Sequence, residues 1–242
     1  MDLNILYEDN HLIVVEKKPG ILSQRDSSGV PSLLDYVKEY IKKKYKKPGN
    51  VFLGLVHRLD KQASGIVVFA RTSKAARRLH REFAERCAVK MYAALVENNG
   101  SAEPGKWIER SDLLTRTRGR SQIGGIAGRG AQSARMRFMV MAANDAFALI
   151  LVHLMTGRKH QIRAQLGATG MPVAGDVRYG SRLRCADDSI CLHSLYLSFM
   201  HPTKKEPVSI YSVIPERITE KIVIDKALQE RIWQVILTQS SV

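Results

Sequence analysis

Short runs of apolar residues, separated by polar turns, dominate the chain and predict strands more often than helices. Residues 5–7 and 12–15 flank a polar turn, so the chain begins with two strands around that turn. Further strand patterns follow at residues 51–56, 66–69, 89–96, 133–141, 146–154 and 192–200. Neighbouring strands joined by short turns form hairpins, so the pattern predicts a largely antiparallel sheet.

Four segments carry apolar residues at helical spacing and lie between or after these strands. They span residues 31 to about 49, 73 to about 85, 158 to about 168, and 215–237. Strands with interspersed helices place the chain in the α+β class, with a mixed, largely antiparallel sheet core and flanking helices. A length of 242 residues can bury one large core, and we predict a single domain over residues 1–242.

The charge of the chain points to a polyanionic partner. The formal net charge is +15 and the pI is about 9.9. Seven arginines crowd a glycine-rich stretch at residues 110–137, and residues 121–130 within it predict a mobile loop that carries cations to phosphates. Six lysines at residues 38–47 end a predicted helix, and this cluster fits a solvated helix end as well as an RNA contact.

The cysteines and the lengths of the apolar runs indicate the cellular compartment in which the protein is found. Cys87, Cys185 and Cys191 form an odd, scattered set, which favours a reducing compartment over a disulfide framework. No run is long and apolar enough to predict a signal peptide or a membrane span. We therefore expect a cytoplasmic protein with no membrane partner.

Residues 57–65, HRLDKQASG, place one carboxylate in a polar turn that ends in glycine. Asp60 lies between the β-rich segments 51–56 and 66–69, so a rigid sheet should hold the turn. Reactive groups are often placed on such connections. Most aspartates in turns only bind backbone amides, so this motif alone does not establish catalysis.

Residues 156–163, TGRKHQIR, form the second informative motif. On a helix, Lys159, His160 and Arg163 would lie within one turn, opposite Ile162 and Leu166. The pattern predicts a cationic helix face, which either faces water or binds a phosphate or a buried carboxylate.

Both motifs resemble the RluA family of RNA pseudouridine synthases. HRLDKQASG is similar to the family signature H-R-L-D-x-x-T-S-G, with Ala63 in place of the usual threonine. TGRKHQIR is similar to T-G-R-x-H-Q-I-R, and residues 170–180 match the G-x-P-[IV]-x-G-D-x-x-Y-G element that follows it. Residues 90–94 match a K-x-Y-x-A strand, and residues 192–202 an L-H-A…H-P element. The resemblance covers residues 5 to about 214 and implies the pseudouridine synthase catalytic fold.

The resemblance implies isomerisation of uridine to pseudouridine within RNA, with roles for matching residues. Asp60 is the implied nucleophile, and Arg163 is the cation that pairs with it. Tyr92 stacks on the uracil ring and helps to remove the C5 proton, while Leu192 packs on the target base. Because C1′ is inaccessible in a stacked helix, the nucleotide must be flipped, and Arg58 moves into the RNA beside it.

Lys159 and His160 are predicted to bind RNA phosphates rather than to act on the breaking bond. The reaction as inferred needs no metal and no cofactor. We expect structured RNA, ribosomal or transfer, as the partner, and a monomer without an obligate protein partner. We also expect no amino-terminal S4 domain, so the catalytic domain must grip its RNA itself.

Three other functions stay open at this stage. A nucleoside glycosylase would use a carboxylate at C1′ but release free uracil. A non-catalytic RNA-binding module would account for the charge alone. A metal hydrolase would need several side chains to converge on one metal ion, but the sequence has no pair of residues at a metal-ligand spacing. The candidate ligands would be His57, Asp60, His153, His160, Asp176 and His193.

Overall fold

The computed structural model describes residues 2–100, 103–117, 119–124 and 130–240. Its strands are β1 Asn4–Glu8, β2 Leu12–Lys17, β3 Gly54–Leu55, β4 Ser64–Ala70, β5 Val89–Glu97, β6 Trp107–Thr117, β7 Arg120–Ile123, β8 Gln132–Ala143, β9 Phe147–Leu154, β10 Leu192–Met200 and β11 Pro207–Tyr211. Its helices are α1 Leu33–Lys44, α2 Ser73–Ala84, α3 Gln161–Ala168, α4 Glu216–Thr219 and α5 Lys226–Ser240. The predicted α+β class with a mostly antiparallel sheet is confirmed.

The chain forms two compact units, and the first comprises Met1–Ala88 and Tyr196–Ser212. In this unit β1, β2 and β4 are antiparallel neighbours in that order, and β3 pairs with the end of β4. Residues 196–200 of β10 pair with β11. One face of β2 and β4 forms a core with α2, which contributes Ala75, Ala76 and Leu79. Every residue of β4 is buried, so the Asp60 motif leads directly into a rigid strand.

The second unit comprises Val89–Leu195 and Val213–Val242. Its strands run antiparallel in the order β5, β9, β8, β6, β7. Helix α3 packs through Ala164 against Leu114 of β6 and Ala134 of β8, together with Tyr179. This helix carries the second sequence motif, so its buried side chains are positioned by the sheet.

Two predicted elements are shorter than expected. The predicted strand at residues 51–56 is a strand only at Gly54–Leu55. The predicted helix at 215–237 is two helices, α4 and α5, with residues 220–225 between them. The Asp225 carboxylate accepts a hydrogen bond from the Leu228 amide at 2.7 Å, and this capping contact starts a new helix.

Most of the described arginine-rich stretch forms strands, and the predicted loop at residues 121–130 is described only at residues 121–124 and 130, of which residues 121–123 belong to β7. Residues 107–117, 120–123 and 132–143 form β6, β7 and β8, which pair with one another. Sequence periodicity missed β6 and β7 because β6 is half exposed and carries four charged residues, whereas β7 is only four residues long and has one buried residue. Arg118, Arg129 and the glycine-rich centre of the predicted loop lie outside the described residues.

The prediction of a single catalytic domain stays a prediction. Among the residues that the structure describes, no helix is long and apolar enough to cross a membrane.

Candidate active site

The seven predicted site residues are divided between the two units. The first unit holds Arg58 and Asp60, and the second holds Tyr92, Lys159, His160, Arg163 and Leu192.

The turn that carries Asp60 is fixed through its neighbour Leu59. The Leu59 side chain is buried, and both of its main-chain groups bind Ser23. Ser23 Oγ accepts a hydrogen bond from the Leu59 amide at 3.1 Å and donates to the Leu59 carbonyl at 2.9 Å. Earlier in the motif, His57 Nε2 accepts a hydrogen bond from the Val68 amide on β4, which ties the start of the turn to the sheet.

The residue after Asp60 is also fixed. The Lys61 carbonyl accepts hydrogen bonds from the Gly20 amide at 2.8 Å and from Lys17 Nζ at 3.1 Å. Lys17 is completely buried, and its ammonium also donates to the carbonyls of Lys18 and Ile21. A buried cation therefore draws three main-chain carbonyls together beneath the Asp60 turn.

Ala63 closes the turn. Its amide donates to the Asp60 carbonyl at 3.2 Å, and its methyl group is 2% exposed. The expected threonine is replaced here by a side chain that fits a buried position without a polar atom to satisfy. The turn holds Asp60 half-buried and leaves Arg58 exposed, so the Arg58 guanidinium is accessible to a ligand.

Arg163 lies on α3, but the predicted cationic face is wrong. Helix α3 begins at Gln161, and residues 161–166 are all buried. Lys159 and His160 precede the helix, and His160 is its N-cap in a left-handed conformation, with φ of 53°. The Arg163 guanidinium is buried in a bidentate pair with Asp176, through Nε at 2.6 Å and Nη2 at 2.8 Å. A buried guanidinium needs such a partner, so Arg163 does not face water.

Tyr179 contacts four polar groups, of which two belong to the predicted site residues His160 and Arg163. Its hydroxyl accepts a hydrogen bond from the Ser121 amide and contacts His160 Nδ1, each at 3.0 Å. Its ring lies against the guanidinium groups of Arg163 at 5.1 Å and Arg120 at 4.8 Å. Burial raises the pKa of the Tyr179 hydroxyl, so the group stays neutral. The structure thus brings Arg163 and His160 to one tyrosine.

The buried polar face of α3 is satisfied by a chain of side-chain amides. Gln161 Oε1 accepts from Thr156 Oγ1 at 2.7 Å, and Gln161 Nε2 donates to Gln165 Oε1 at 3.0 Å. Gln165 Nε2 in turn donates to Asp112 on β6 at 2.7 Å. These contacts fix the helix that presents Arg163, because each buried amide is paired.

The remaining predicted residues occupy distinct positions in the second unit. Tyr92 lies on β5 opposite Val152 and is 6% exposed, and Leu192 is the first, buried residue of β10. The Lys159 side chain is exposed, and its carbonyl accepts a hydrogen bond from Ser121 Oγ. The roles that the resemblance implies for these residues stay predictions.

The histidines of the metal-hydrolase hypothesis have other environments. His57 uses Nε2 for the Val68 amide, and burial lowers the pKa of His193 to about 3 and that of His153 to about 4. Within the described part of the chain, no group of three or more His, Cys, Asp or Glu side chains is placed to hold a metal ion.

The sequence predicted no role in the isomerase reaction for three residues that build these sites, although Asp176 was named among the possible metal ligands. Lys17 belongs to the KKPG segment at residues 17–20, and Asp176 and Tyr179 belong to the GDVRYG element. The motif matches named Asp176 and Tyr179, but only the fold brings them to Arg163.

Comparison with known proteins agrees with these observations. A family model described as RNA pseudouridylate synthase matches residues 11–168. The chain is 32% identical to the dual-specificity RNA pseudouridine synthase RluA of Haemophilus influenzae, over 86% of this chain and 91% of that protein. It is 28% identical to ribosomal large subunit pseudouridine synthase C of Vibrio parahaemolyticus, over 91% of this chain and 68% of the relative.

Solved structures show the same fold. Human RNA pseudouridylate synthase domain containing 4 superposes with a TM-score of 0.73 at 21% identity, over 90% of this chain and 91% of that chain. Human RNA pseudouridylate synthase domain containing 1 has a TM-score of 0.67 at 25% identity, over 88% and 83%. The chain therefore belongs to the RNA pseudouridylate synthase family, among the RluA-type members, and is an RNA uridine-to-pseudouridine isomerase.

Proposed function

We propose that the enzyme modifies uridine in ribosomal or transfer RNA, with Asp60 as the nucleophile. The observation that carries this proposal is the construction of the Asp60 turn. Contacts from Ser23, Lys17 and Gly20 fix the main chain on both sides of one half-buried carboxylate within the family signature. A nucleophile needs this fixed geometry, because a loosely held carboxylate would lose the advantage of orientation.

The proposed reaction begins when an Asp60 oxygen attacks C1′ of a flipped uridine. The C1′–N1 bond breaks, and its electron pair leaves with the uracil ring. The base rotates, C5 bonds to C1′, and Asp60 is released as a carboxylate. N1 then takes up a proton and C5 loses one, so atoms and charge balance without a redox agent.

The other residues keep the roles that the resemblance implies. Tyr92 stacks on the uracil and assists removal of the C5 proton, Leu192 packs on the base, and Arg58 enters the RNA. The resemblance assigns to Arg163 the countercharge of the catalytic carboxylate. Its pair with Asp176 uses the Nε–Nη2 edge of the guanidinium, and a guanidinium can bind carboxylates through two edges.

Lys159 and His160 are proposed to face RNA phosphates beside α3. The protein acts as a monomer in the cytoplasm, a location that fits its three free cysteines. The relatives named for the large ribosomal subunit make unmodified large-subunit ribosomal RNA the first substrate to test.

The test replaces Asp60 with Asn, which keeps the size of the side chain and removes its negative charge. We expect turnover to fall by at least about 10³-fold, with pseudouridine measured by mass spectrometry of digested RNA. The matched control is Asp26→Asn, an exposed aspartate of the same unit, which should keep full activity. Retained turnover in Asp60→Asn would end the nucleophile assignment, and release of free uracil by the native protein would identify a glycosylase.

A further inference from the structure

Helix α2 carries a row of cations on its outer face. Lys74, Arg77 and Arg81 are exposed and lie at intervals of three and four residues, so they share one side of the helix. The inner side packs into the core through Ala75, Ala76 and Leu79, which fixes the orientation of the row. We call these three residues the α2 stripe.

The described part of the chain supplies no counter-ion to the α2 stripe. None of its three side chains has an ion-pair or hydrogen-bond partner among the residues that the structure describes. The lysines at the end of α1 differ, because Lys44 pairs with Glu8 and Lys43 with Glu39, each at 2.7 Å. The α1 cluster is therefore partly neutralised, whereas the α2 stripe keeps its full charge.

This charge arrangement opposes helix stability. Arg77 and Arg81 are like charges at i and i+4, and Lys74 lies in the first turn, where the helix dipole favours anions. Helix α2 contains four Lys or Arg and one Glu, and its first turn has no acidic residue. An external polyanion would relieve both repulsions, so the stripe fits a binding role better than a stabilising one.

An exposed aromatic residue lies beside the same helix. Phe52 is 51% exposed and is the one phenylalanine among the exposed large hydrophobic residues of the described chain. A Cβ at Gly54 would lie 2.8 Å from Ala76 Cβ of α2 and 3.6 Å from Phe52 Cζ. The Phe52 ring and Ala76 of α2 therefore both lie against Gly54, and about half of the surface of Phe52 is open to a ligand.

We propose that the α2 stripe and Phe52 form a docking surface for the substrate RNA. The stripe binds backbone phosphates, and Phe52 stacks on an unpaired base, as cationic and aromatic groups do in single-strand recognition. This inference rests on the proposed function for the identity of its partner. It adds a grip on the RNA that is separate from the residues assigned to the reaction.

The test measures binding of a short RNA hairpin at several salt concentrations. The variant Lys74→Gln/Arg77→Gln/Arg81→Gln should bind on the order of tenfold more weakly, and the slope of log affinity against log salt should fall by about 2, because three phosphate contacts are lost. The matched control removes three exposed lysines elsewhere and should keep the native slope; it is Lys205→Gln/Lys221→Gln/Lys226→Gln. Equal changes in both triple variants would overturn the proposal.

Phe52→Ala tests the stacking part. It should weaken hairpin binding about tenfold without a change in the salt slope, because stacking releases no counter-ions. Unchanged affinity would overturn this part. Stripe-dependent binding to vesicles of anionic lipid, with RNA binding unaffected, would overturn RNA as the partner.

Kinetics separate this inference from the proposed function. The stripe variant should raise KM for unmodified large-subunit ribosomal RNA about tenfold and leave kcat unchanged, since it alters binding alone. Pseudouridine formation with a native KM in the stripe variant would overturn the docking surface and leave the proposed function standing. If the stripe variant loses hairpin binding but the native protein forms no pseudouridine, the proposed function is overturned and the docking surface is kept.

Discussion

Each unit holds one buried cation in its part of the predicted site, Lys17 next to the Asp60 turn in the first and Arg163 itself in the second, but the partners of the two cations differ. In the first unit, Lys17 donates to the carbonyls of Lys18, Ile21 and Lys61 and so fixes the main chain next to Asp60. In the second, Arg163 binds the carboxylate of Asp176. A compact ammonium gathers main-chain dipoles, whereas a planar guanidinium takes a fork-shaped partner. The comparison suggests that one cation shapes a turn and the other holds a side chain in place.

The largest expected effect comes from removing the partner of Arg163. Asp176→Asn leaves a buried guanidinium without its carboxylate and should cost about 3–5 kcal/mol in the free energy of unfolding. Urea titration followed by tryptophan fluorescence measures it, because Trp107 and Trp233 both lie in the second unit. The control, Asp188→Asn, breaks the exposed pair with Arg184 and should cost no more than about 1 kcal/mol. Equal losses would show that burial of the pair contributes nothing.

Acid should affect the second unit next most strongly. Burial, aided by the charge of Arg217, lowers the pKa of His193 from 6.5 to about 3. The unfolded chain therefore takes up this proton first as the pH falls below 6.5, and stability decreases until about pH 3. Between pH 6.5 and about 4 the loss should be roughly 3 kcal/mol for this histidine.

The same urea titration at several pH values, with His193→Gln as the reference, isolates this contribution. In the first unit, burial would raise the pKa of Asp35, but hydrogen bonds from Arg25 and Ser32 lower it to about 2. That carboxylate keeps its charge over the same window. Parallel pH curves for the native protein and His193→Gln would contradict the assignment.

The smallest expected loss of stability follows replacement of the other cation. Lys17→Met removes the ammonium donor shared by the carbonyls of Lys18, Ile21 and Lys61, at a cost of about 1–3 kcal/mol, and the Lys61 carbonyl keeps only the Gly20 amide among its two donors named above. Because Lys61 adjoins Asp60, kcat should fall as well, and exchange of the Gly20 amide, measured by NMR, should accelerate. The exposed neighbour gives the control, since Lys18→Met should change stability by less than about 0.5 kcal/mol. If Lys17→Met keeps the native kcat, Lys17 does not help to position Asp60.

Elements with strong local patterns were predictable from the sequence. Strand β10 spans Leu192–Met200 as predicted, and α1, α2, β5 and β9 differ from the predictions by a few residues. Their apolar residues recur at the period of the element, and turn or capping residues mark the ends. Strands β6 and β7, the last two of the sheet, were missed because half-exposed strands are stabilised by their neighbours rather than by their own composition.

The sequence by itself determined the α+β class, the family and the two motifs that carry Asp60 and Arg163, because periodicity and motif spacing are local properties of the chain. Tertiary structure alone decided that Arg163 is buried against Asp176, that Tyr179 contacts both Arg163 and His160, and that Lys17 binds the carbonyl beside Asp60. Burial, and with it the need for a charged or dipolar partner, depends on which segments the fold brings together. The sequence therefore does not distinguish a basic residue that faces RNA, as we propose for the α2 stripe, from one that lies in the core.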